Sequence, residues 1–534
     1  MRRSVHPLLS VWFLWSLLTL AQSSKAESCP ADQHPTFRIS VAPGLAGQRL
    51  SGRLIVMMSN HLGAAGKLAP NFGPDAHSVW VAAREVHDLT PQTPVDLDPD
   101  ELAYPAAFCT APGGNYKIIA VLDVDHTFAY YYDASDGDLL SPTTEQNFDP
   151  STNQRISLRL EERKTDPPLQ LPAHTELFDF TSPALSDFWG RPIHMRGAVV
   201  VPPSYGASKN RYPTVYMTHG FGADMQYLVG RVATRTNQQM EDKKLPEMIW
   251  VLLLQASPTG THEFADSVNN GPWGRALTSE LIPYLEKKYR MDARPSGRLL
   301  TGHSSGGWSA LWVQVSHPGF FGGTWPTAPD PGDFRSFTLI DITKRPPPNF
   351  FHRDDGSPLM FIRMGGKDTQ SLADLALQER VLGDYGGQLA SFEWVFSPRD
   401  KDGRPMPLFD RGTGTIDPEV AEYWEKHYDI ANLLRTNWKK IGPLLKGKIH
   451  LTVGTADTFH LDAPARLLEQ TIKDLGGKAS FTYLEGRTHF DLYRGGLSER
   501  IAREMYAVAR PDADRAQLRR SDPPRPSSAQ ALKP

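Results

Sequence analysis

The strongest constraint on this chain is the stretch Gly302-His303-Ser304-Ser305-Gly306. It lies between an apolar run, Arg298-Leu299-Leu300-Thr301, and a helical one, Gly307-Trp308-Ser309-Ala310-Leu311-Trp312-Val313. This reads as a strand, a tight G-x-S-x-G turn and a helix. Glycines on either side of the serine remove side chains that would clash, so the backbone can strain enough to hold a serine Oγ at the mouth of a site. Ser304 is therefore the candidate nucleophile. The pentapeptide alone is a weak signal, and the chain around it decides what it means.

From residue 174 to 510, apolar runs alternate with helically spaced ones, the pattern of a mostly parallel, doubly wound α/β sheet. Strands are predicted at 193–201, 213–218, 248–254, 298–301, 323–327, 449–453 and 480–484, and helices at 227–241, 276–289, 306–317, 463–475 and 497–508. About 120 residues separate the strand at 323 from the strand at 449, too many for a plain connection, so an insertion or lid is expected over about 331–446.

A serine hydroxyl needs a base within hydrogen-bond reach and a group that orients the base. Strand 449–453 runs into Gly454-Thr455-Ala456-Asp457, and strand 480–484 runs toward Gly486-Arg487-Thr488-His489. Two successive strands thus deliver a carboxylate and an imidazole to one sheet edge, in the chain order nucleophile, acid, histidine. His489 is the candidate base and Asp457 the candidate acid. Asp462 and Asp368 remain alternatives for the acid: Asp462 precedes Ala463-Pro464 as a helix cap would, and Asp368 follows the strand-like run 359–364. Charge builds on the substrate oxygen during acyl transfer and needs donors already in place. His219-Gly220-Phe221-Gly222, directly after strand 213–218, has the form of such a loop, with the amides of Phe221 and Ser305 as the donors. The stretch Asn269-Asn270-Gly271-Pro272-Trp273-Gly274 is expected to line the pocket.

Upstream, 30–162 reads as a small all-β sandwich with strands at 36–41, 53–58, 78–81, 116–123 and 155–160, joined to the α/β part by a Pro-rich linker at 163–173. Asp123, Asp125 and His126 sit at one strand end, where a solvated turn is the preferred reading over metal ligation. No metal or cofactor site is predicted. Arg2 and Arg3, an apolar run at 8–20 and small residues around Ala26 read as a signal peptide over 1–26, which implies a secreted or periplasmic protein. The two cysteines, Cys29 and Cys109, are then either one disulfide or two buried thiols. Charge is balanced, Lys+Arg 57 against Asp+Glu 60, with no basic block, which argues against a nucleic-acid partner. Nothing after the leader is long and apolar enough to span a membrane, and 511–534 has the composition of a disordered tail.

The motifs His-Gly-Phe-Gly at 219–222, Gly-Pro-Trp-Gly-Arg-Ala at 271–276 leading into Glu280-Leu281-Ile282-Pro283, and Gly-His-Ser-Ser-Gly-Gly at 302–307 resemble the putative-esterase family of α/β hydrolases, which includes esterase D and enterochelin esterase-like enzymes. The resemblance covers about 180–330 and 446–505. It implies the α/β-hydrolase fold and metal-free ester hydrolysis by Ser304, His489 and Asp457 on a small-molecule or glycan-linked ester. The same triad serves acyl transfer or peptide hydrolysis, and a non-catalytic binding module that keeps the fold is the reading from another class. The 331–446 segment and the N-terminal β region depart from the family pattern.

Overall fold

The computed structural model describes residues 29, 34–45, 50–61, 68, 76–128, 134–383 and 387–512. The expected signal peptide lies outside the described residues, as does the expected tail from 513 onward.

The central sheet has eight strands: β1 (Thr175–Thr181), β2 (His194–Val200), β3 (Thr214–Thr218), β4 (Ile249–Leu253), β5 (Arg298–His303), β6 (Gly323–Thr327), β7 (His450–Gly454) and β8 (Ser480–Leu484). Their spatial order is β1-β2-β4-β3-β5-β6-β7-β8. β2 runs antiparallel to β1 and β4, and every later pairing is parallel. Such a sheet needs helices on both faces, which is why β4 (Ile-Trp-Val-Leu-Leu) is one continuous buried apolar run. This strand order, with the glycine-flanked turn at Ser304 after β5, is the α/β-hydrolase fold. Its crevice lies outside the carboxyl ends of the parallel strands.

Seven of the eight strands coincide with predicted ones to within a residue or two. β1 was not among them. As an edge strand it is half solvated, with Leu177 exposed, and Thr-Glu-Leu-Phe-Asp-Phe-Thr carries too little apolar content to read as core.

Helices relevant to the site are α1 (Ser305–Ser316), α2 (Leu372–Leu382), α3 (Gln388–Phe396), α4 (Pro418–His427), α5 (Ile430–Leu445), α6 (Asp462–Asp474) and α7 (Leu497–Ala509). α1 follows β5 directly and is buried along nearly its whole length. α2 to α5 occupy the long interval between β6 and β7, which also holds a hairpin, Met360–Met364 against Lys367–Ser371. Gly365 and Gly366 turn that hairpin with φ of 59° and 75°, the left-handed pair that a two-residue loop demands. The run 359–364 therefore pairs with its own return and not with the central sheet.

Residues 36–163 form two packed sheets. Thr36–Val41 lies between Val95–Leu97 and Arg155–Leu160 in one, and Leu50–Ser59 lies between Trp80–Leu89 and Gly114–Asp123 in the other. Phe37, Ile39, Leu54, Val56, Phe108, Ile118 and Ile156 fill the space between them. The alternate residues of the middle strand, Ile55 and Met57, join the other core instead, the one that contains β3, β4 and α2. Leu50–Ser59 is thus buried on both faces and lacks the alternation of a half-solvated strand.

The junction is also polar. Arg53, 8% exposed, donates from Nε and Nη2 to Val381 O and from Nη2 to Arg380 O, so one guanidinium caps the last turn of α2. Gln370 donates to Tyr104 Oη at 3.1 Å, and His77 faces Asp374 at 3.6 Å. Cys29 and Cys109 are joined as a disulfide with Cα atoms 5.9 Å apart.

Candidate active site

Ser304 sits between the last residue of β5 and the first of α1 with φ 59° and ψ −128°, a conformation that L-residues adopt only under constraint. The constraint is steric. A Cβ on Gly302 would lie 2.1 Å from Gly306 O, and one on Gly306 would lie 2.5 Å from His219 O, so strand, helix and the loop after β3 converge at van der Waals limits. Gly220 is less crowded but still tight, since a Cβ there would meet Ser304 Cβ at 3.3 Å. The loop carrying Phe221 therefore passes against the serine. Ser305 opens α1, so its N–H has no intrahelical acceptor. Its side chain donates to Asp330 Oδ2 at 2.7 Å.

His489 and Asp457 come from the loops after β8 and β7. Nδ1 of His489 donates to Asp457 Oδ2 at 2.9 Å, with both side chains almost wholly buried. Asp457 Oδ1 accepts from the backbone N–H of Phe459 at 3.0 Å and of Leu461 at 3.3 Å. Burial pushes this carboxyl upward, but the His489 ring and those two N–H groups outweigh it and leave Asp457 below the usual carboxylate range. The imidazole is flanked by Phe459 at 4.9 Å and by His303, the neighbour of Ser304, at 4.4 Å between ring centroids. His303 is held near a pKa of about 3 by burial first and then by His489. Between Ser304 Oγ and His489 Nε2 no contact meets hydrogen-bond geometry, and such bonds are commonly long or misaligned before substrate binds.

The alternatives for the acid lie elsewhere. Asp462 is the first residue of α6 rather than its N-cap, which is Leu461; its carboxylate accepts no cap bond and pairs with Arg363 at 3.3 Å and Arg466 at 3.9 Å. Asp368 is exposed on the return strand of the hairpin. The stretch 269–274 is held against the insertion by Asn269, whose Nδ2 donates to Ser397 O at 2.8 Å, and within itself by Asn270 O, which accepts from Trp273 Nε1 at 2.9 Å.

Several site residues were not singled out from sequence. Asp330 follows β6 as Asp457 follows β7; a carboxylate just beyond a parallel strand was the available signal. Its N–H reaches Ser304 O at 3.3 Å, and burial raises its carboxyl to about 6 against the bond from Ser305. With Phe459, Leu461 and Pro331 it lines a narrow, largely apolar cavity closed from the insertion by Phe361, Leu389 and Phe392. Phe490, 58% exposed, stands at the rim beside His489.

Among the described residues two groups of potential metal ligands occur away from this site. One is the disulfide pair with Asp100; the other joins Asp123 and Asp125 to Asp138, not to His126, which pairs with Glu85 at 3.0 Å. Asp123 is 1% exposed and so is no solvated turn; both it and Asp138 accept backbone N–H bonds. Burial, and next the charge of Asp138, raise Asp123 to about 7, and burial raises Asp138 to about 6.

Among the described residues no helix is long and apolar enough to cross a membrane. Two curated relatives from Mycobacterium tuberculosis, Esterase MT1326 (strain CDC 1551 / Oshkosh) and Esterase Rv1288 (strain ATCC 25618 / H37Rv), are each 27% identical over 125 residues, which is 23% of this chain and 26% of theirs. The chain thus spans about a quarter of the length of the curated relatives it matches. Among solved structures, a ferulic acid esterase is 15% identical, with 64% of this chain and 99% of that one covered at a TM-score of 0.37. S-formylglutathione hydrolase (FrmB) from Staphylococcus aureus is 12% identical, with 62% and 99% covered at a TM-score of 0.36. The family model described as "Putative esterase" matches residues 192–499, more than half of the chain and the whole span from β2 to the start of α7. The chain belongs to the putative-esterase family.

Proposed function

We propose that the protein is an exported serine hydrolase that cleaves carboxylic esters through an acyl-enzyme. The observation that carries this reading is the 2.9 Å bond between buried His489 and buried Asp457, on the loops that border a serine held at φ 59°. With Nδ1–H committed to Asp457, Nε2 of His489 is the nitrogen left to accept the Ser304 proton as Oγ attacks the ester carbonyl. The N–H groups of Phe221 and Ser305 receive the oxyanion, the protonated His489 passes its proton to the leaving alcohol, and water repeats the sequence to release the acid. The substrate is a small-molecule or glycan-linked ester. The Cys29–Cys109 disulfide supports an oxidising compartment, secreted or periplasmic.

Labelling with a fluorophosphonate tests the reading. The parent protein is expected to label stoichiometrically, Ser304→Ala to be silent, and His489→Ala to label at least a hundredfold more slowly. Equal labelling of His489→Ala and parent would remove His489 as the base. Acyl transfer is the second reading, favoured by the walls that the insertion places over the cavity at Asp330 and Phe459, since exclusion of water lets an acceptor alcohol compete. Product analysis with an added alcohol separates transfer from hydrolysis.

A further inference from the structure

Behind Ser304 runs a line of buried polar groups that the reaction above does not use. It starts at Glu263, which with Phe264 forms a pair of consecutive non-glycine residues in the left-handed region, φ 53° and 47°. Both side chains are fully buried, and a conformation this unfavourable persists only where the surroundings impose it. Its effect is to turn the Glu263 carboxyl onto the first turn of α1, with Oε2 2.7 Å from Ser309 Oγ.

Ser309 Oγ also lies 2.8 Å from Gln255 Oε1 and 2.9 Å from Ser305 O. A hydroxyl has one hydrogen to give. Against an ionised Glu263 the serine would face three acceptors and leave two of these short contacts as lone pair against lone pair. The other carboxylate oxygen, Oε1, would be charged and buried with no partner. A protonated Glu263 resolves the arrangement: it donates to Ser309 Oγ, and Ser309 passes its own hydrogen to Gln255 Oε1, sharing it with Ser305 O.

Gln255 carries the order onward. Its Nε2 donates to His219 O at 2.5 Å, and its backbone N–H donates to His219 Nε2 at 2.9 Å. With Nε2 accepting, Nδ1 of His219 donates to Gly220 O at 2.8 Å, so the ring is the neutral Nδ1–H tautomer. Burial holds it so, down to about 4. His219 and Gly220 immediately precede Phe221.

We propose that Glu263 is a positioning residue, a neutral carboxylic acid that through Ser309, Gln255 and His219 keeps the loop 219–222 in register with the nucleophile helix. The proposal rests on the serine-hydrolase reading. Burial first, and then the charge of Asp330, push the Glu263 carboxyl well above its ordinary range. The groups that face it are Asp330 from the loop after β6, Ser305 and Ser309 from α1, and His262 from its own loop. His262 is kept neutral by burial and accepts at Nδ1 from Phe264 N–H at 3.2 Å.

The test uses the full chain as parent, Glu263→Gln and Glu263→Ala, each titrated with fluorophosphonate so that rates refer to competent Ser304; a parent that fails to label refutes the serine-hydrolase reading and not this one. Infrared difference spectra of parent minus E263Q at neutral pH should contain the carbonyl band of a protonated carboxylic acid; a carboxylate band in its place overturns the proposal. In ester hydrolysis E263A should lose kcat on the order of ten- to a hundredfold with KM within about twofold, below the loss on removing an oxyanion donor outright. E263Q, a neutral donor of the same shape, should restore kcat to within about threefold and abolish any alkaline limb that the parent shows. An E263Q enzyme as impaired as E263A, or one with the parent's alkaline limb intact, overturns it. Should E263A not fold, the infrared band and the E263Q profile decide alone.

Discussion

Asp457→Asn is the substitution whose consequence the geometry specifies most closely. Oδ1 of Asp457 accepts from two backbone N–H groups, Phe459 at 3.0 Å and Leu461 at 3.3 Å, while Oδ2 faces His489 Nδ1 at 2.9 Å. In the asparagine variant only the carbonyl oxygen can stay with the two N–H donors, so the NH2 group is forced into the Oδ2 position. It then presents a hydrogen to Nδ1, which must become an acceptor, and the imidazole carries its proton on Nε2. That is the tautomer that cannot take a proton from Ser304. The expected loss in kcat is about 10³–10⁴, or roughly 4–5.5 kcal/mol of barrier, for a change of one atom in a fully buried side chain. Steady-state hydrolysis of an activated ester reads the effect. Thermal unfolding of the same samples shows that the fold is retained. A D457N enzyme within tenfold of the parent would refute the tautomer argument and with it the role of Asp457.

Three further outcomes are expected. Gly306→Ala places a Cβ 2.5 Å from His219 O and 2.6 Å from Thr218 O, so both the melting temperature and fluorophosphonate labelling should fall sharply; a normal labelling rate would show that the turn can relax. Arg53→Met removes the guanidinium that caps α2 and should lower stability by about 3 kcal/mol in chemical denaturation, since carbonyls 380 and 381 lose a buried charged donor. Asp123, raised to about 7 in the folded chain, ordinarily ionises near 3.9 when unfolded, so the folded state binds the extra proton between those values. Its stabilising contribution is present at low pH and lost as pH rises through 7. Asp123→Asn should therefore flatten the fall in stability between pH 5 and pH 8, by on the order of 2 kcal/mol.

Much of this architecture is legible along the chain because parallel strands buried on both faces must be continuous apolar runs, and because each ends where the next loop must turn. That rule locates β5 with its glycine-flanked serine and β7 with Asp457 just beyond it, whereas β8, a partly buried edge strand, is found by its place after the helix that precedes it, with His489 in the loop that follows. It fails where burial is one-sided or conditional. β1, half solvated at the sheet edge, lacks the apolar density, and 359–364 has that density but spends it on a hairpin. The line from Glu263 to His219 is illegible for a different reason. Its meaning depends on two left-handed backbone torsions in a loop without periodicity, and on which of the oxygens around one serine hydroxyl carries a proton. Asp330 lay within reach of the strand-end rule, yet a third carboxylate at the same edge could be ranked only by distances.

The guanidinium of Arg53 at the end of α2 bears on where this protein could be divided. A fragment cut to the family-matched span, 192–499, would keep all five of the residues assigned to the reaction, yet it would expose the α2 carbonyls at 380 and 381 and the apolar surface that Ile55 and Met57 cover. α2 also supplies Leu375 to the wall of the cavity beside Asp330. The N-terminal sheets thus shield part of the scaffold behind the site, and a fragment beginning at residue 192 should unfold at lower denaturant than the full chain.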